Sequence, residues 1–191
     1  MILIIILFPL GLGPIQEKLN IVSNAVIWVG LILAIMPSLE KLLQKDFENG
    51  WLDQIATSPI PLEIVMLSKG ISYWLIILIP LIITSPIFAI LLDMDLKNIP
   101  WLVISISTGS LAISLIGLSG SALILGAKRG NILLPILIIP LMTPILIFGV
   151  GVNEAININA SPYGNLFLLL ALTLVYLVIS PFISALLVRI A

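Results

Sequence analysis

The chain has 191 residues, 61% hydrophobic and only 9% charged, with net charge −1 and mean hydropathy +1.31. Soluble domains carry roughly 25% charged residues, so a surface this apolar faces lipid rather than water, and the charge balance offers no basic field for nucleic acid. With no Cys and no His, disulfides, iron–sulfur clusters and thiol catalysis are excluded, and the commonest metal ligand and general base are missing.

Charged residues divide the sequence into six charge-free apolar stretches, at about 1–15, 24–39, 70–92, 100–126, 132–152 and 164–188. A spanning helix needs roughly 20 apolar residues. The last four stretches meet that length, and the second reaches it if extended to Ile21 and Leu43. The first is short. A signal peptide is the competing reading there, but residues 1–15 lack a positive n-region and a small-residue cleavage site. The predicted fold class is an all-α integral membrane protein of about six spans, forming one transmembrane domain over 1–191.

Between the second and third stretches lies the one long connector, 40–69. Within it Phe47, Trp51, Leu52 and Ile55 fall on one face of a helix, opposite Glu48, Asn49, Asp53 and Gln54. Ser58-Pro59 stops that helix, and Pro61 starts the next with Glu63 in its first turn. Such an amphipathic piece either rests on lipid headgroups or docks in a groove of a cytoplasmic ATPase. Lipid-surface helices favour Lys and Arg on the polar face. This one carries Glu48 and Asp53, which favours a protein partner. The expected contact set is Phe47, Glu48, Gly50, Trp51, Leu52, Asp53, Gln54 and Ile55, with Gly50 permitting close backbone approach.

Proline recurs at membrane depth, at Pro9, Pro37, Pro80, Pro86, Pro135, Pro140, Pro144 and Pro181, where it kinks or interrupts helices. In the stretch 100–126, Gly109, Gly117 and Ser121 recur at multiples of four beside Ser110 and Ser114. Small residues so spaced let helix backbones approach, which predicts a central packing helix. Lys128, Arg129 and Gly130 form a second cytoplasmic turn. Trp28, Trp74, Trp101 and Tyr163 sit near predicted span ends, where aromatic residues anchor at the membrane interface.

Lys and Arg near the spans set orientation. Lys41, Lys45, Lys69, Lys128, Arg129 and Arg189 lie in one set of connectors, and only Lys18 and Lys97 in the other. The first set is therefore assigned to the cytoplasm, with both termini. No ionisable side chain falls within a predicted span, so no site for ion coupling is expected. Uphill transport would draw on a partner, which points to an ATP-driven assembly. An intramembrane enzyme would need a nucleophile with a base, or clustered acidic or His ligands, at membrane depth. The spans hold Ser and Thr but no base. A purely structural scaffold is the remaining alternative.

The run Phe47-Glu-Asn-Gly-Trp-Leu-Asp-Gln-Ile-Ala-Thr-Ser-Pro-Ile-Pro-Leu-Glu63, followed by Leu67-Ser-Lys-Gly70, resembles the CcmB family of permease subunits. So do Leu7-Phe-Pro-Leu-Gly-Leu-Gly-Pro14, Leu78-Ile-Pro-Leu-Ile-Ile-Thr-Ser-Pro86, Gly126-Ala-Lys-Arg-Gly130 and Ser180-Pro-Phe-Ile-Ser184 with Arg189, in that order along nearly the whole chain. The family's usual charged amphipathic segment ahead of the first span is not in this sequence, and Asn49 stands where family members often have an acid.

The resemblance implies a six-span ABC-2-like permease of the bacterial inner membrane, acting in c-type cytochrome biogenesis. It implies a homodimer working with a CcmA-like ATPase, CcmC- and CcmD-like membrane subunits and the haem chaperone CcmE. ATP would be bound by the partner, and either haem is the cargo or ATP drives release of the haem-loaded chaperone from the complex. An ABC-2 permease for lipid, polysaccharide or drug is the alternative. Without His or Cys, any axial ligand would have to be an uncommon one such as Met or Tyr, so no iron-ligated haem, no metal and no catalytic residue are expected on this chain.

Overall fold

The computed structural model describes residues 16–125 and 130–190. The predicted first span, 1–15, and the Lys128-Arg129 pair lie outside the described residues. Among those described the chain is helical, without strands. Helix α1 runs over Gln16–Glu48, α2 over Trp51–Ala56, α3 over Leu62–Tyr73 and α4 over Ile79–Leu91. Then come α5 over Ile99–Leu123, α6 over Gly130–Asn157 and α7 over Tyr163–Ile190. Helices α3 and α4 are one continuous rod joined through a π-helical turn, Trp74–Leu78, in which Ile79 N–H reaches back to Trp74 O. The cause lies next door: Pro80 has no N–H to give the carbonyl four residues earlier, so the ladder widens around it.

Among the described residues five helical segments are long and apolar enough to cross a membrane: Val22–Glu48, Leu62–Leu91, Leu96–Leu123, Leu133–Asn157 and Tyr163–Ile190. They follow the order of the second to sixth predicted spans, but each extends past the charge-free stretch that marks it. The connector 40–69 shrinks most. Helix α1 carries on through Glu40, Lys41 and Lys45 to Glu48, and α3 begins at Leu62. Thirty-three residues of α1 at about 1.5 Å each make a rod near 50 Å long. That exceeds a hydrocarbon core of roughly 30 Å by several turns.

Successive membrane helices run up and down. At one end Leu43 N–H of α1 donates to Ser121 Oγ of α5 at 3.1 Å, and Arg189 of α7 meets Glu63 of α3 at 3.1 Å. At the opposite end Asn24 Nδ2 of α1 donates to Val150 O of α6 at 2.8 Å, and Trp101 packs edge-on against Tyr163 with centroids 5.5 Å apart. Helix α5 is the core of the bundle, buried on most of its circumference. The outward faces of α4, α6 and α7 carry exposed Ile83, Ile87, Ile136, Phe167, Val178 and Phe182. That is the pattern of a lipid-facing surface.

Small residues set how closely α5 is approached. A Cβ on Gly109 would lie 2.6 Å from the Trp28 ring, and one on Gly117 2.3 Å from Leu39 Cδ2. Ser110 Oγ accepts from Trp74 Nε1 at 2.9 Å, Ser114 Oγ donates to Gly70 O at 2.7 Å, and Ser121 takes the α1 bond just described. Two aromatic assignments need correcting. Trp28 has no exposed surface at all, and Trp74 bonds in mid-bundle. Both were read as interfacial because α1 and α3 start about two turns before the apolar stretches do, which moves positions 28 and 74 inward.

Candidate functional site: the α2 ledge

The short helix α2 is held between two helix breaks at the end of the bundle where Lys41, Lys45, Lys69 and Arg189 gather. Helix α1 stops because Gly50 enters the left-handed region at φ 69°, a conformation that carries no Cβ penalty in glycine. Gly50 N–H donates to Phe47 O at 3.0 Å, and Asn49 N–H to Lys45 O at 3.1 Å. At its other end α2 is closed by Thr57 Oγ1 on Gln54 O at 3.0 Å and Ser58 Oγ on Ile55 O at 2.7 Å. Pro61 then caps α3, with Glu63 in its first turn, as the proline and acid spacing predicts.

The expected single helix through Phe47 to Ile55 is therefore two. Phe47 and Glu48 end α1, Gly50 is the corner, and Trp51, Leu52, Asp53, Gln54 and Ile55 belong to α2. The apolar side chains are not held out for a partner. Leu52 is 1% exposed, in a cluster with Leu43, Leu62, Met66, Leu118, Ala122, Ala185 and Val188, and Phe47, Trp51 and Ile55 pack half-buried against it. The polar residues take the outer edge: Glu48, Asn49, Gly50, Asp53, Gln54 and Thr57 are exposed, and Gln44 Nε2 donates to Glu48 Oε1 at 2.9 Å. The apolar stripe was legible, but its target, the chain's own α3, α5 and α7, was not.

Sequence reasoning assigned Lys69 no role beyond orientation. Its Nζ is 2.5 Å from Asp46 Oδ2 and 4.4 Å from the centroid of the Trp51 ring. Neither partner is within helical reach in sequence, so periodicity could not flag the contact. Of the second predicted turn, Gly130 opens α6, while Lys128 and Arg129 are outside the described residues.

A second feature lies within the membrane-spanning part. A cavity of about 300 Å³ between α5, α6 and α7 is lined by Ile116, Gly120, Leu137, Ile138, Tyr176 and Ile179, among others. Ser119 and Ser180, also in its lining, are hydrogen-bonded to each other at 2.8 Å. Its lining holds no charged side chain, so it offers apolar contact and little else.

Comparison with known proteins agrees with this architecture. The chain matches the family described as CcmB protein over residues 1–191. Heme exporter protein B of Pseudomonas aeruginosa is 39% identical over 183 residues, covering 96% of this chain and 82% of that protein. Heme exporter protein B of Paracoccus denitrificans is 38% identical, covering 96% and 84%. The protein of the same name from Escherichia coli (strain K12) is 35% identical, covering 100% and 86%. A match from the first residue to the last, on a bundle of membrane-crossing helices with a small helix between the second and third predicted spans, settles the assignment: the chain belongs to the CcmB family of multi-pass membrane proteins.

Proposed function

We propose that this chain is the membrane-spanning subunit of an ATP-driven ABC complex for haem export or haem-chaperone release in c-type cytochrome biogenesis, and that α2 is where it meets its ATPase. The observation that carries the reading is the full-length match to proteins named heme exporter protein B. The ledge is its physical counterpart. Its outer edge offers Asp53 and Gln54 to water at the cation-rich end of the bundle, the cytoplasmic side in this reading. A CcmA-like ATPase binds there. CcmC- and CcmD-like subunits and a CcmE-like chaperone complete the assembly, with a second copy of the permease, in a bacterial inner membrane. ATP is bound by the partner, and both termini of the permease are cytoplasmic.

Haem is not a resident group of this subunit in this reading. Without His or Cys, the chain lacks the ordinary axial ligands, so haem would cross by apolar contact or be handled by neighbouring subunits. The test is purification from native membranes, with partners identified and bound haem quantified. A co-purifying ATPase and haem chaperone, with no iron ligand from this subunit, is the expected outcome. Purification without an ATPase, or haem ligated by a side chain of this chain, would contradict it.

A further inference from the structure

Three helices meet at Lys69. The residue belongs to α3, pairs with Asp46 of α1 and lies over the Trp51 ring of α2. The Lys69 and Asp46 side chains are 22% and 29% exposed, so water screens this pair less than an open surface pair. An ammonium over an indole face is held by the ring quadrupole, which adds an electrostatic tie to the apolar packing of Leu52. Leu52 seats α2 in the apolar cluster it shares with α3, and the Lys69 contact ties the same helix electrostatically between its two corners, the left-handed Gly50 and the Ser58-Pro59 bend. One residue beyond Lys69, α3 is locked to the core. Ser114 Oγ of α5 donates to Gly70 O at 2.7 Å, and a Cβ on Gly70 would lie 3.2 Å from Leu115 Cδ2. Tyr73 follows, sharing a 2.5 Å hydrogen bond with Ser38 of α1, and then the π turn with its Trp74–Ser110 bond.

We propose that Lys69 is the mechanical joint of this subunit: the positioning residue that makes α2 and α3 move as one body, so that a displacement of α2 reaches the α3–α5 contact at Gly70 and Ser114. The proposal rests on the reading of α2 as the docking element. Lys69→Met keeps a long apolar stem and removes the cation, whereas Lys69→Arg keeps the charge over the ring.

Two measurements test it. The first needs no partner. The chain has no Cys, so spin labels on Gln54→Cys and Ser68→Cys, both exposed positions, report the α2–α3 distance in lipid nanodiscs. Lys69→Met broadens that distribution and Lys69→Arg keeps it narrow. A distribution unchanged by Lys69→Met overturns the joint.

The second uses the assembled complex with its ATPase. Lys69→Met is expected to lower ATP-dependent cytochrome c maturation about tenfold, the factor that corresponds to ~1.4 kcal/mol. The ATPase should still co-purify and hydrolyse ATP, and Lys69→Arg should restore maturation. Full maturation with Lys69→Met overturns the proposal, and so does loss of the ATPase from the Lys69→Met complex, which would make Lys69 part of the docking shape. If Asp53→Lys leaves the ATPase bound, it is the docking reading that fails, and the spin-label result still decides the joint.

Discussion

At the scale of single residues the bundle is organised around contacts that only small side chains permit. Trp28 is wedged between Gly109 and Gly149, where added Cβ atoms would lie 2.6 and 2.3 Å from its ring. Gly109→Val therefore overpacks a site that cannot open without moving α1 off α5. The expected loss is about 1–3 kcal/mol, read as a lower unfolding temperature in detergent, and an unchanged temperature would show that the helices are not that close. The Arg189–Glu63 pair is a contrasting case. With side chains 55% and 28% exposed it stabilises by no more than about 1 kcal/mol, so Glu63→Gln should leave the unfolding temperature nearly unmoved. Which residues were small on α5 could be read directly. Which large side chain filled each gap could not, because Trp28 and Gly109 meet only through tertiary packing.

Element by element, the span boundaries differ from the expected ones for one reason. Charges were taken to end a span, but a helix does not stop at the edge of the hydrocarbon. Glu40, Lys41 and Lys45 mark where α1 leaves the apolar core, and the helix runs on to the glycine corner. Conformational signals did better than charge. Pro61 and Glu63 located the start of α3 to within a residue. Gly50 was treated as a helix interior position because its left-handed φ is invisible without the fold. Its conformation yields a clear prediction. Gly50→Ala places a Cβ where the backbone costs roughly 1–2 kcal/mol and should lower both stability and ATP-driven activity, while Gly50→Asn, which tolerates that region better, should lose less. Equal behaviour of the two variants would mean that the corner is not required.

For the molecule as a whole, composition alone identified a membrane protein, and the periodic placement of charge identified its up-and-down course. Orientation is the next property to establish. Since the chain has no Cys, single cysteines can report sidedness. Asp53→Cys should react with a membrane-impermeant maleimide only from the cytoplasmic face, and Ala160→Cys, exposed at the opposite end, only from the other. Labelling of both from one face would break the up-and-down topology, and labelling of each from the opposite face would invert it.

In the proposed mechanism work enters this bundle through the outer edge of α2, and the apolar stripe read from the sequence is spent on the chain's own core. Photo-crosslinkers at Asp53 and Gln54, with Ile83 as a lipid-facing control, test it most directly in native membranes. Adducts to an ATPase at 53 and 54 and to lipid alone at 83 are predicted. Lipid adducts at all three positions would show that α2 rests on the membrane and takes no ATPase.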